Sequence, residues 1–158
     1  MALVKGTNSY ATVEEAIAYF DDRLDVAAWT SASEDQRRQS LITATAVLDD
    51  LEWAGVAVSD SQSLAFPRSG NYFDPKMGTI VELPTTIPKT IQRATFEVAY
   101  HLLNNDGLLD DTGTVKQINI GTITLSDLRN ASRIPNHVTR MIRPLLNNRG
   151  ANNWWRAN

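Results

Sequence analysis

Carboxylates fall in adjacent pairs at Asp21/Asp22, Asp49/Asp50 and Asp110/Asp111, and the chain holds two histidines, His101 and His137. Acid–base or metal chemistry would need such groups to converge, but neighbouring residues on a helix point in different directions, so the pairs read as solvated faces. Asp106, Asp110 and Asp111 lie near Gly107 and Gly113 without the alternating Asp/Asn pattern and closing Glu of a calcium loop. The absence of cysteine excludes disulfides, thiolate catalysis and thiolate-held zinc. No phosphate-binding glycine loop occurs, and no serine sits in a nucleophile elbow. His101, beside Tyr100, reads as a residue at the edge of a core, and His137 as part of a basic side with Arg133 and Arg140. These residues predict no enzyme, no metal and no cofactor.

What remains is the chemistry of contact. The stretch "RGANNWWRAN" (149–158) sets Trp154 and Trp155 behind Asn147, Asn148, Gly150, Asn152 and Asn153. A polar tether gives reach and large rings supply burial once a pocket is found, so Asn153, Trp154, Trp155 and Arg156 read as a docking tail for another protein, Arg156 pairing with a carboxylate there. Two other readings stay open: the tail folding back on its own bundle, and the rings serving as stacking platforms for nucleobases. Charge is also uneven. Residues 1–111 carry 8 Lys+Arg and 17 Asp+Glu, net −9, while residues 112–158 carry 7 and 1, net +6, giving the overall −3. A basic C-terminal third suits nucleic acid or an acidic surface on another subunit, and Arg133, Arg140 and Arg143 are spaced so that at least two share a side of the last helix.

Four helices must position these groups. "TVEEAIAYFDDRL" pairs Thr12 with Glu15 in a capping box and places Val13, Ala16, Ile17, Phe20 and Leu24 at helical spacing. Ser33 and Gln36 form a second box before a stripe of Leu41, Ala44, Thr45, Leu48 and Leu51, predicting a helix to about Glu52. A third starts at Pro88 and runs through Ile91, Ala94, Thr95, Val98, Leu102 and Leu103 until "NNDG" stops it. The fourth aligns Val138, Met141, Ile142 and Leu145, with Pro144 set to kink or end it. Between the last two, Ile118/Ile120 and Ile123/Leu125 alternate with polar residues around Gly121, which predicts a hairpin or one bent strand.

From Ala54 to Ile87 the chain lacks helical periodicity, and "TIVEL" is its one β-like run. A connection this long is usually functional. Leu64, Phe66, Tyr72 and Phe73 argue against disorder, with Phe66 the anchor and Tyr72 and Phe73 contacts at the tip. Arg68 reads equally as a buried structural arginine or an interface residue. With 158 residues and 42% hydrophobic content, the expectation is one mainly α domain over 1–147, a bundle of about four helices with a small β-hairpin or bent strand and a long connecting loop, followed by the tail 148–158. No run is long enough to span a membrane, and "MALVKGTNSY" lacks a signal peptide's apolar core, so a cytoplasmic location is expected.

Laid out in order, "SYATVEEAIAYF", "SEDQRRQSLITATAVLDDLEW", "LAFPRSG", "IPKTIQRATFEVAYHLL", "VKQINIGTITL" and "PNHVTRMIRPLL" resemble the head-tail connector (adaptor, or head completion) proteins of tailed phages. That family more often has tryptophan where this chain has Phe66. The resemblance implies a structural virion protein that docks under the portal as a ring, expected to be a dodecamer, extends the DNA channel and receives the tail. Its partners would be the portal, other copies of itself, tail or nozzle proteins and the genomic DNA in transit, with no membrane; the docking tail would then enter a portal pocket and Arg133, Arg140 and Arg143 would line the channel. Its location would be the virion's head-tail interface, and the host cytoplasm during assembly. Some members carry the label of DnaT-like single-stranded-DNA-binding proteins, which supplies the alternative, a binding protein of phage replication.

Overall fold

The computed structural model describes residues 2–104, 117–120, 123–126 and 134–147. Both predicted capping boxes form. Thr12 opens α1 (Val13–Asp21), accepting from Glu15 N at 3.2 Å while the Glu15 carboxylate accepts from Thr12 N at 2.9 Å. Ser33 and Gln36 do the same for α3 (Glu34–Asp49), which buries Leu41, Ala44, Thr45 and Leu48. Between them lies a short helix, α2 (Ala27–Ser31), whose Trp29 is buried.

Chain direction changes before Leu24 can join the first stripe. The helix ends at Asp21, Asp25 takes a positive φ of 57°, and Leu24 is left 91% exposed, contrary to its expected place in the core. Of that stripe, Ala16 and Phe20 are the residues buried. The third predicted helix is α4 (Lys89–Asn104), with the Pro88 carbonyl accepting from Ile91 N and Gln92 N. The fourth, α5 (Asn136–Ile142), passes into a 3-10 turn at Arg143–Leu145 that contains Pro144, since proline cannot continue the amide ladder. Val138, Ile142 and Leu145 are buried on one side of this segment.

The connection between α3 and α4 is not a featureless loop. It contains β1 (Val56–Ala57) paired with β2 (Arg68–Ser69), then β3 (Asn71–Asp74) paired with β4 (Thr79–Glu82), all antiparallel. Gly55 makes the crossing of the first ladder possible: its φ is +74°, and a Cβ there would stand 2.2 Å from the Ser69 carbonyl oxygen. The region of alternating isoleucines is a hairpin, β5 (Gln117–Ile120) with β6 (Ile123–Ser126), in the register Ile118↔Leu125. The described residues thus hold five α-helices and three two-stranded antiparallel ladders. This mixed α/β architecture corrects the expected mainly α four-helix bundle. Periodicity detects long amphipathic helices and the alternation of β5 and β6, whereas the five-residue α2 and the strands β1 to β3 are too short to show a period.

One hydrophobic core runs through the helices and the connection. Phe66 is 1% exposed, with its ring edge-on to Trp53 at 5.0 Å and to Tyr10 at 6.1 Å. Asp49 is not merely solvated: its Oδ1 accepts from the Tyr10 hydroxyl and, at 2.7 Å, from Ala65 N, which ties the segment before Phe66 to α3. Burial raises the Tyr10 phenol's pKa, and the Asp49 carboxylate raises it further.

Candidate functional site

Two stretches far apart in sequence meet beside Trp53. An antiparallel bridge joins Trp53 to Leu146, Ala54 N donates to the Leu145 carbonyl at 2.9 Å, and Asn147 N donates to the Glu52 carbonyl at 2.8 Å. This clamp holds the turn after α5 against the connection. Leu83 N donates to the Gly70 carbonyl at 2.8 Å, which closes the base of the β3–β4 hairpin.

Strand alternation then decides which side chains face where. In the register Tyr72↔Val81 and Phe73↔Ile80, Tyr72 and Val81 are half-buried while Phe73 is 56% and Ile80 68% exposed. The hairpin and the turn after α5 enclose an open groove of about 560 Å³. Tyr72, Phe73 and Arg143 are its aromatic and cationic lining residues, Asn71 and Asn147 its carboxamides, and among the described residues no carboxylate lines it. In a chain of net charge −3 that composition sets the groove apart. Aromatic faces can stack on bases, a guanidinium can meet a phosphate or a base plane, and amides can pair with base edges.

The residues singled out in the sequence divide accordingly. Tyr72, Phe73 and Arg143 are brought together. Phe66 is buried in the core, the anchor expected of it. Arg68 takes the structural role of the two left open: its Nε donates to the Ala54 carbonyl at 2.8 Å and its Nη2 to the Gly55 carbonyl at 2.6 Å. Arg140 is exposed on α5, outside the groove lining. Arg133, Asn153, Trp154, Trp155 and Arg156 lie outside the described residues. Sequence reasoning missed Asn71 and Asn147, whose relevance comes only from the long-range clamp.

A second cluster was also missed. Glu97, 5% exposed on α4, accepts from the Tyr19 hydroxyl at 2.6 Å, from Arg23, and shares a 3.0 Å contact with His137 Nε2. His137 is therefore engaged with a carboxylate rather than only with basic neighbours. Burial alone would raise the Glu97 carboxyl's pKa, but the hydrogen bonds from Arg23, Tyr19 and His137 outweigh it and hold the group below its ordinary range. Burial, aided by Glu97, pushes the Tyr19 phenol up to about 12. The cluster joins α1, α4 and α5, and every buried side-chain polar atom among the described residues has a partner. It reads as a structural tie, since each member is occupied by another.

A family model described as "Putative DnaT-like ssDNA binding protein" matches residues 2–157. No curated protein and no solved structure matches the chain. The family match overturns the expected connector identity, and with it the portal, the tail proteins and the dodecameric ring as partners, because the DnaT-like family is what nearly the whole chain matches.

Proposed function

Since the chain belongs to the DnaT-like single-stranded-DNA-binding family, we propose that it binds single-stranded DNA, with the groove between the β3–β4 hairpin and the α5 turn as the place where bases are held. The observation that carries this reading is the family match over residues 2–157. The groove supports it: Phe73 offers an exposed ring, Tyr72 a partly covered one, and Arg143 an exposed cation with no hydrogen-bonded or ion-paired partner among the described residues. Stacking on aromatic faces is tolerant of sequence because every base has a π-face, so binding should depend weakly on which bases are offered. The uneven charge supports it too, because the basic C-terminal third can approach a phosphate chain that the acidic remainder would repel. The protein acts in this reading as a binding module and not as an enzyme.

Fluorescence anisotropy with a labelled oligothymidine tests the proposal. Binding that weakens steeply with salt, and weakens again in Arg143→Ala, is expected; no binding at low salt would overturn it.

A further inference from the structure

Half of the ten lysines and arginines among the described residues are already engaged. Lys5 pairs with Glu15, Arg23 with Glu97 and Arg38 with Asp35, while Arg37 and Arg68 donate to backbone carbonyls. The side chains of the other five, Lys76, Lys89, Arg93, Arg140 and Arg143, have no hydrogen-bonded or ion-paired partner among the described residues. Lys76 sits in the turn of the β3–β4 hairpin and Arg143 in the groove. Lys89 and Arg93 are exposed one helical turn apart on α4, and both line a cleft of about 310 Å³ between α1 and α4. Tyr19, Gln92 and Phe96 line the same cleft. The one carboxylate among its described lining residues, Glu15, is held by Lys5 and by Thr12 N, so it leaves the two cations unopposed.

This cleft is connected to the groove through the fold. Lys89, Arg93 and Glu97 succeed one another at four-residue spacing along α4, about 12 Å from first to last. Glu97 meets His137 of α5 at 3.0 Å, and Arg140 follows three residues on, then Arg143 at the groove. We infer that the α1–α4 cleft is a second contact for the same DNA strand, Lys89 and Arg93 receiving phosphates, with Arg140 between cleft and groove. The inference rests on the single-stranded-DNA reading and adds to it a minimum length: a strand that fills only the groove forgoes the second contact.

Anisotropy titrations of the full chain with an oligothymidine of about four nucleotides and one of about fifteen, spanning the range of single-strand site sizes, separate the two claims. Lys89→Ala/Arg93→Ala should keep the wild-type affinity for the short strand and lose affinity for the long one. Its salt slope on the long strand should shrink by about 1.4, at about 0.7 per phosphate contact. Arg38→Ala, which removes a cation on α3, should change neither slope nor length dependence. An unchanged slope in the double variant, an equal loss on both strands, or the same effect in Arg38→Ala would overturn the second contact and leave the groove standing. Wild-type protein that binds neither strand would overturn the DNA reading itself. Both substituted side chains are solvent-exposed, so an unchanged melting temperature verifies that folding is not the cause.

Discussion

Phe66 and Phe73 show how the same residue type, seven positions apart, takes opposite roles. Phe66 is enclosed by Trp53 and Tyr10, and Phe66→Ala should lower stability by about 3–5 kcal/mol through lost burial and the cavity left behind, as denaturant unfolding would show. Phe73 lies 56% exposed at the groove, so Phe73→Ala should leave the melting temperature nearly unchanged and weaken single-stranded-DNA binding by about 1–3 kcal/mol, the usual worth of one stacked base. A shared melting loss would place Phe73 in the core instead. The Glu97 cluster predicts how stability varies with pH. Glu97 has a depressed pKa in the fold, so its contribution is complete above the ordinary glutamate value of 4.5 and is lost as pH falls through the lower folded value. Tyr19 has a raised one, so its contribution is complete below 10.0 and is lost as pH rises towards about 12. Glu97→Gln should therefore melt earlier than wild type at neutral pH, with the gap closing in acid; Tyr19→Phe should flatten the alkaline limb. Melting curves across pH check both.

Elements differ in how far local sequence specified them. The capping boxes of α1 and α3 involve residues three apart, and the Pro88 carbonyl accepts from amides three and four residues on, so these boundaries were legible from spacing alone. The end of α5 was legible because Pro144 has a local consequence. By contrast, α2 has five residues and no side-chain cap, and it exists because Trp29 packs on Phe20 at 4.7 Å. The β1–β2 crossing depends on Gly55 passing under the Ser69 carbonyl, a closeness no local pattern announces. Gly55→Ala should cost about 1 kcal/mol or more, from the positive φ alone, and more if the Ser69 backbone must move; a melting curve within a degree of wild type would refute the close approach. The candidate site was legible only as its parts. Tyr72, Phe73 and Arg143 stood out by type, but their meeting rests on the Trp53–Leu146 bridge and on the hydrogen bonds of Ala54 and Asn147.

At the scale of the molecule, an acidic chain is read as a ligand of an acidic polymer. Two features reconcile these: the charge is unevenly distributed along the sequence, and the unpaired cations of the described residues collect on the hairpin, α5 and the start of α4. Association should therefore be local in its contacts and sensitive to salt, with double-stranded DNA a poorer ligand because its bases are unavailable to Tyr72 and Phe73. Amide hydrogen exchange, followed with and without a saturating oligothymidine, tests the assignment of the groove most directly. The account predicts slowed exchange in Asn71–Glu82 and in 143–147, with little change along the buried face of α3. Binding accompanied by protection elsewhere and none in these two segments would contradict it.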